Sequence, residues 1–176
     1  MDLEQREEDA RLIGAAIEGD REAFGELYRR HARAVHGTLL AKVAAQEADD
    51  MVHDVFLQAL DHLSSLRDRS SFRAWICAIA RRKSIDHFRR ARVTDELDDT
   101  AVARENPAAD AEAHAAIATI QRLPEAYRET LTLRLVEGLS GPEIAEITGL
   151  TPDSVRVNLH RGFQMLRERL GVAKQR

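Results

Sequence analysis

The sequence has little of what anchors or cross-links a secreted or membrane protein. It contains a single cysteine, so no disulfide can form within the chain, and a reducing compartment is the expected environment. No apolar run approaches the roughly 20 residues that cross a bilayer. Residues 1–11 are acidic and polar, unlike a signal peptide, which is basic and then apolar. We therefore expect a cytoplasmic protein without membrane contact.

Aromatic residues are also scarce, at 5 % of 176 residues, whereas 44 % of the chain is hydrophobic and 32 % is charged. This composition is typical of a mostly helical fold. From about Asp20 onward, apolar residues recur at intervals of three and four, and there is no strand pattern or internal repeat. We predict an all-α protein.

The charges are divided along the chain, although the net charge is only −4. Residues 67–92 carry nine Lys/Arg and two Asp/Glu, whereas residues 93–112 carry seven Asp/Glu and one Arg. The acidic stretch also contains a proline and few large apolar residues, which predicts a flexible linker over residues 93–113. We expect two small helical domains, residues 1–92 and 114–176, on either side of it.

The last quarter of the chain predicts a helix-turn-helix. Ser140 and Glu143 form a capping pattern at the start of a short helix, and Gly149 suits the left-handed residue that ends it. Thr151 and Pro152 then begin a longer helix. A short helix, a tight glycine turn and a longer helix are the parts of this motif.

The longer helix is predicted to have one buried and one free face. Val155, Leu159, Leu166 and Leu170 recur on the buried face, and Gly162 in the same row indicates a close contact. Side chains that can read base edges or hold phosphates lie on the other face. We interpret it as a DNA-reading surface, the alternative being a solvated helical hairpin. Its residues are Asp153, Arg156, Val157, His160, Arg161 and Gln164.

A helix from about Glu47 to Leu63 has apolar positions on one side and an acidic face on the other. That face carries Asp50, His53, Asp54, Leu57 and Asp61. A solvated face explains the charges, but an exposed leucine among carboxylates also fits a docking surface for a basic partner helix.

The segment from Phe72 to about Arg90 is predicted to be a basic helix that follows a polar loop, Ser64–Ser71. Trp75 and Phe88 are interleaved with the basic residues. Aromatic and basic side chains together can hold melted single-stranded DNA. Trp75 is equally compatible with a role as a core anchor.

The order of these parts resembles the extracytoplasmic-function branch of bacterial RNA polymerase sigma factors, over about Asp20 to Leu170. The motifs that carry the resemblance are Asp49-Asp-Met-Val-His-Asp-Val-Phe56, Ser71-Phe-Arg-Ala-Trp-Ile-Cys-Ala-Ile-Ala-Arg81, Ile85-Asp-His-Phe-Arg-Arg90, Leu123-Pro-Glu-Ala-Tyr-Arg128, and Glu143-Ile-Ala followed by Val155 to Arg161. The resemblance implies a non-enzymatic protein without cofactor or metal, which binds core RNA polymerase and promoter DNA. It also implies an anti-sigma protein that holds the factor inactive.

The resemblance assigns three sets of residues. The set implied to dock on the polymerase is Asp50, His53, Asp54, Phe56 and Leu57. The set implied to bind minus-ten DNA is Ser64, Arg67, Arg69, Ser70, Ser71, Trp75, Arg82, Asp86, Arg89 and Arg90. The set implied to read the minus-thirty-five element is Ser154, Arg156, Val157, Asn158, His160 and Arg161. His53, Arg82 and the run Arg156-Val-Asn158 depart from the residues common in the family, which leaves the promoter sequence open.

Two other classes fit parts of the sequence. A stand-alone helix-turn-helix regulator would need an effector or dimerisation domain, which residues 1–92 do not resemble. An all-helical metal-dependent phosphohydrolase could use the adjacent pair His53 and Asp54, with His36 upstream and Asp86 downstream. Because metal ligands must converge on one centre, and this pair lies on a predicted exposed face, we expect no metal site and no small-molecule substrate.

Overall fold

The computed structural model describes residues 3–95 and 111–170, which form eight α-helices and two short 3₁₀ turns. The helices are α1 (Leu3–Ile17), α2 (Arg21–Leu40), α3 (Ala45–His62), α4 (Phe72–Asp95), α5 (Ala111–Gln121), α6 (Glu125–Leu135), α7 (Gly141–Thr148) and α8 (Pro152–Arg169). The 3₁₀ turns, Leu63–Ser65 and Arg69–Ser71, lie between α3 and α4. No strand occurs in the two described ranges, and the all-α prediction is confirmed.

Short-range capping determines where the first predicted helices begin. The Asp20 carboxylate accepts hydrogen bonds from the backbone N–H groups of Glu22 and Ala23, at 2.9 and 3.1 Å, so α2 begins where the sequence predicts. At the start of α3, the Glu47 carboxylate accepts from the backbone N–H of Ala44 at 3.1 Å. In both helices a side chain satisfies an N–H group that has no partner within the helix.

Helix α1 is a feature that the sequence analysis does not predict. Ile13 and Ala16 on one side of α1 are buried in the core. Asp9, also buried, accepts a hydrogen bond from His31 of α2, with 2.8 Å between Oδ2 and Nε2. A buried carboxylate is costly without such a partner, so this pair fixes α1 on α2.

A single hydrophobic core joins the N-terminal helices α1–α4 to the C-terminal helices. Leu133, Ile144, Ile147 and Val155 belong to the same buried cluster as the core residues of α1–α4. A smaller cluster, which contains Ile120, Leu123, Leu131 and Leu166, lies within the C-terminal helices alone. The two halves of the chain therefore pack directly on each other. We call α1–α4 the N-terminal half and α5–α8 the C-terminal half.

The predicted linker, residues 93–113, overlaps a helix at each end, because α4 continues to Asp95 and α5 begins at Ala111. Its acidic centre, residues 96–110, lies outside the described residues. Within the described part of the chain, no helix is both long and apolar enough to cross a membrane.

Candidate nucleic-acid interface

Helices α7 and α8 form the predicted helix-turn-helix. One carboxylate oxygen of Glu143 accepts hydrogen bonds from the backbone N–H and the hydroxyl of Ser140, at 2.9 and 2.7 Å. Gly149 ends α7 in the left-handed conformation, with φ of 71°. Thr151 then caps α8, because its hydroxyl oxygen accepts from the backbone N–H of Ser154 at 3.2 Å. All of these local signals are present in the sequence, and the motif is confirmed.

Glu143 also connects the helix-turn-helix to the N-terminal half. Burial disfavours its charged form, but hydrogen bonds from Ser140 and then from Arg73 outweigh burial and lower the pKa of Glu143 to about 2. The Arg73 guanidinium lies 2.9 Å from the Glu143 carboxylate. Glu143 therefore remains ionised at any physiological pH, and the start of α7 is fixed on α4.

The two faces of α8 differ as the sequence predicts. Val155, Gly162 and Leu166 are buried, and a Cβ atom added to Gly162 would lie 2.8 Å from Cδ1 of Leu131, which confirms the predicted close contact. The opposite face carries three exposed residues whose side chains can form hydrogen bonds, Arg156, His160 and Arg161. It also carries an exposed apolar residue, Val157.

Two predicted readers on α8 have structural partners within the C-terminal half. The Asn158 amide donates a hydrogen bond to the backbone carbonyl of Ala126 in α6, at 3.0 Å. The Ser154 hydroxyl lies 2.8 Å from the hydroxyl of Thr151. We therefore interpret both mainly as residues that position α8, and Arg156 and Arg161 as the side chains with most freedom to contact DNA.

The loop between α3 and α4 is ordered by its own side chains. Asp68 accepts hydrogen bonds from the hydroxyl and the backbone N–H of Ser70, at 2.7 and 3.0 Å, and these bonds lower its pKa. The Ser71 hydroxyl donates to the backbone carbonyl of Asp68. Ser64, Arg67 and Arg69 are exposed.

Helix α1 contacts this loop, and the sequence analysis did not predict that contact. A Cβ atom at Gly14 would come within 3.0 Å of the Arg69 guanidinium, so the absence of a side chain there lets Arg69 lie across α1. The signal in the sequence was weak, because the apolar stripe of α1 contains only a few large residues.

The basic helix α4 carries both exposed and partly buried members of the predicted minus-ten set. Arg82 and Arg89 are exposed, and Asp86 is partly buried, whereas the side chain of Arg90 lies outside the described residues. Trp75 is also partly buried, with its ring centroid 5.8 Å from that of Phe72. Because Trp75 is only partly buried, its position is compatible with both predicted roles, core anchor and DNA contact.

The outer face of α3 presents most of the predicted docking residues. Asp50, His53 and Asp54 are exposed, and Leu57 is 49 % exposed. Asp54 pairs with Lys83 of α4 at 3.0 Å, with its side chain still 56 % exposed. This face is therefore both acidic and apolar, and it is not covered by the C-terminal half.

The interpretation of Phe56 as a docking contact requires a correction. Phe56 is 2 % exposed, and its ring contacts Tyr28 at 4.4 Å and Phe24 at 6.2 Å between centroids. A side chain so enclosed has almost no surface left for contact with a partner. Phe56 instead fixes α3 on α2 and thereby orients the exposed face. In contrast, Leu60 of the same helix is 43 % exposed.

Two of the four residues considered for a metal site, His36 and Asp54, have other partners. His36 lies 2.7 Å from Glu137 and 3.3 Å from Asp49, and Asp54 pairs with Lys83. Within residues 3–95 and 111–170, no three His, Cys, Asp or Glu side chains are grouped so that they could hold a metal ion.

Comparison with known proteins identifies the family. Residues 27–94 match the family described as Sigma-70 region 2, and residues 113–166 match the family described as Sigma-70, region 4. The chain is 30 % identical to the RNA polymerase sigma factor CarQ of Myxococcus xanthus, over 88 % of this chain and 92 % of CarQ. The chain belongs to the RNA polymerase sigma factors. It is a transcription initiation factor of the sigma-70 type.

Other relatives agree on the branch of the sigma factors. The ECF sigma factor SigM of Mycobacterium tuberculosis is also 30 % identical, over 93 % of this chain and 85 % of SigM. The structure of CnrH in complex with the cytosolic domain of CnrY aligns with a TM-score of 0.69 and 26 % identity, over 95 % of this sigma factor and 99 % of CnrH. The resemblance to extracytoplasmic-function sigma factors is thus confirmed.

Proposed function

We propose that three surfaces of this sigma factor divide the work of initiation. The exposed face of α3 docks on core RNA polymerase. The loop Ser64–Ser71 and the exposed side of α4 bind minus-ten DNA, and α8 reads the minus-thirty-five element. In this proposal residues 1–92 and 114–176 act as the two functional domains, with the acidic stretch between them.

One observation carries the assignment of α8. Its cap at Thr151 and its contact at Gly162 hold the helix on the C-terminal half, while Arg156 and Arg161 extend from the opposite face into solvent. The Arg156 side chain is 80 % exposed, and its only ion pair within the described residues is with the equally exposed Asp153, at 3.2 Å. Such a pair is weak, so DNA can displace it at little cost.

We assign the minus-ten surface to this loop because hydrogen bonds hold its side chains in place and exposed arginines lie beside them. Asp68 holds the hydroxyls of Ser70 and Ser71 in place, while Arg67 and Arg69 remain exposed beside them. Polar groups held by a rigid turn can accept a flipped base without further ordering. The exposed Arg82 and Arg89 then extend the positive surface along α4.

Run-off transcription with core polymerase on a promoter library tests the proposal. Exchange of residues 64–71 for another loop of equal length should change the minus-ten preference and leave the minus-thirty-five preference unchanged. The exchange should retain Asp68, because its hydrogen bonds shape the turn. If both preferences shift together, or neither shifts, the loop is not the minus-ten pocket.

We further propose that a protein partner holds this factor inactive in the cytoplasm. CnrH, which aligns over nearly the whole chain, was solved with the cytosolic domain of CnrY. A partner of that kind would be an anti-sigma protein. Co-purification of a tagged sigma factor with a protein that inhibits its run-off transcription would support this, and full activity of all recovered complexes would contradict it.

A further inference from the structure

Gly14 is a glycine inside helix α1, at a position where alanine would stabilise the helix more. Glycine lowers helix stability because its backbone loses more conformational freedom on folding than that of any other residue. The φ angle of Gly14 is not positive, in contrast to that of Gly149. Within the described residues, a Cβ atom built at Gly14 would meet no atom of the hydrophobic core within 4 Å. Neither backbone conformation nor core packing therefore requires a glycine at this position.

The one neighbour that a side chain at position 14 would meet is the guanidinium of Arg69. The Cβ atom would lie 3.0 Å from Nη1 and 3.9 Å from Cζ of Arg69, and no other described atom outside α1 comes within 4 Å of it. Arg69 belongs to the loop between α3 and α4, in the 3₁₀ turn Arg69–Ser71. The surface of α1 thus has a notch at Gly14 in which the guanidinium lies. We call this notch the Arg69 seat.

The Arg69 seat suits a positive charge. Gly14 lies in the last turn of α1, and that turn contains no basic residue of its own. The C-terminal end of a helix carries a partial negative charge that attracts cations, so Arg69 supplies a cation that α1 lacks. In the part of the chain that the structure describes, the Arg69 guanidinium has no ion pair or hydrogen bond. Its N–H donors are therefore available to a ligand.

The backbone of the loop is fixed on both sides of Arg69. Leu66 packs against the core, and Phe72, at the start of α4, is 1 % exposed. Asp68 accepts a hydrogen bond from the backbone N–H of Ser70 at 3.0 Å. The remaining freedom at Arg69 belongs to its side chain, which the seat restricts. An arginine that is ordered before binding loses less conformational entropy when it binds.

We propose that Gly14 is a positioning residue of the minus-ten site, because its missing side chain lets the Arg69 guanidinium lie on α1 and bind a phosphate of the melted strand. The inference rests on the proposed function for the location of the minus-ten surface. A flipped base brings its own phosphate with it, and a guanidinium beside the base pocket matches two phosphate oxygens at once. Gly14 makes no contact with DNA in this proposal and acts only through Arg69.

The test measures binding of the holoenzyme to a fluorescent single-stranded oligonucleotide that carries the minus-ten sequence selected from a promoter library. Arg69→Ala should weaken binding by at least about ten-fold, as expected for a hydrogen bond between charged groups. The loss should be the same for all minus-ten sequences, because a phosphate contact carries no base preference. The slope of log K against log salt concentration should also fall by about 0.7, the change expected for one phosphate contact on a single strand.

Gly14→Ala should weaken the same binding by about two- to ten-fold, because the guanidinium loses its seat and DNA must order it instead. The midpoint of thermal unfolding should nevertheless rise by up to about 4 °C, since alanine favours the helix and only the end of a flexible side chain has to move. Gly25→Ala in α2 is the matched control. A Cβ atom there also faces an arginine Nη1, that of Arg29, but at an ordinary 3.7 Å. This control should gain stability and bind the oligonucleotide with wild-type affinity.

A double variant distinguishes positioning through Arg69 from a general disturbance of the loop. Gly14→Ala should have no further effect on binding in an Arg69→Ala background. An equal loss in both backgrounds, or wild-type affinity of the single Gly14→Ala variant, would overturn the inference and leave the proposed function intact. Wild-type affinity of Arg69→Ala would overturn the inference and remove Arg69 from the minus-ten surface, while the exchange of residues 64–71 still decides the role of the loop. A wild-type holoenzyme that binds no minus-ten oligonucleotide would contradict the proposed function itself.

Discussion

The Cδ1 atom of Leu131 lies 2.8 Å from the point where a Cβ atom of residue 162 would stand. Leu131 is fully buried in α6, and Gly162 is in the middle of α8. Because residue 162 has no side chain, α8 can pack close to α6 at this point.

Gly162→Ala should therefore destabilise the protein, although alanine is the better helix former. The helix gains about 1 kcal/mol from the substitution, but overpacking against Leu131 costs about 1–3 kcal/mol. Gly25→Ala on α2 meets no such contact and should stabilise by up to about 1 kcal/mol. Thermal unfolding of both variants checks the prediction. A stabilising Gly162→Ala would mean that Leu131 moves aside easily.

Recognition of the minus-thirty-five element should depend on two arginines of α8. Arg156→Ala and Arg161→Ala are each expected to weaken binding to the minus-thirty-five element. A base-reading arginine should relax specificity at one base pair by about 1–3 kcal/mol, whereas a phosphate contact weakens all sequences equally. Arg167→Ala, also exposed on α8, serves as the control. Binding of a promoter-variant series to the holoenzyme measures the difference, and an unchanged series would exclude α8 as the reader.

Docking should depend on the exposed face of α3. Leu57→Ala and Asp54→Arg are expected to reduce affinity for core polymerase by at least about ten-fold, which is 1.4 kcal/mol, because they alter an apolar and a charged contact. Stability should change by less than about 0.5 kcal/mol, since both side chains are exposed. Leu135→Ala removes a similarly exposed leucine from the C-terminal half and should bind normally. Affinity can be measured by fluorescence anisotropy, and wild-type affinity in both α3 variants would contradict the assignment.

The folded protein should be more stable at mildly acidic pH. The hydrogen bond to Glu137 raises the pKa of His36 above 6.5, partly opposed by burial and assisted by the charges of Glu137 and Asp49; Arg33 is the other charged group at this site. The folded state binds the proton of His36 more tightly than the unfolded state does. The protonated histidine therefore stabilises the fold fully below about pH 6.5, and this stabilisation is lost as the pH rises through the pKa of His36 in the folded state.

We expect the midpoint of thermal unfolding to fall between about pH 6 and pH 8 in wild type, and to fall less in His36→Gln. His160→Gln, an exposed histidine on α8, should retain the wild-type slope. A His36→Gln variant with an unchanged slope would show that another group is responsible.

Cys77 should be unreactive in the folded protein. The thiol is fully buried, and burial raises its pKa to about 11, with a smaller opposing effect of a hydrogen bond involving Thr38. Because the thiolate is the reactive form, an aromatic disulfide reagent at pH 8 should modify Cys77 only after denaturation. Rapid modification of the native chain would contradict this and would suggest a redox role.

The sequence predicts the features that depend on neighbouring residues. The helix-turn-helix follows from Ser140, Gly149 and Thr151, which act within three or four positions of themselves. The exposed face of α3 likewise follows from helical periodicity. The docking role of Phe56 was assigned from a motif, and only its packing on Tyr28 reveals that its task is structural.

Other features depend on contacts that no local pattern encodes. Arg33 and Glu137 are 104 positions apart, and Gly37 is recognisable as a close contact only when Leu133 is seen above it. Helix α1 escaped prediction for a similar reason, since its buried pair with His31 joins residues that are 22 positions apart. Charge runs in the sequence describe the local composition, but they do not tell which charges are neutralised across the core.

The ion pairs between the two halves also determine which charges of the C-terminal half are exposed. Residues 113–176 contain seven carboxylate side chains, and five of them, Glu125, Glu129, Glu137, Glu143 and Glu146, pair with the N-terminal half. These five carboxylates are paired with cationic side chains of the N-terminal half, while Arg156 and Arg161 are exposed to solvent. A DNA phosphate backbone attracts the exposed arginines and repels free carboxylates. The packing of the two halves therefore neutralises most of the negative charge that would otherwise weaken the attraction of α8 to DNA.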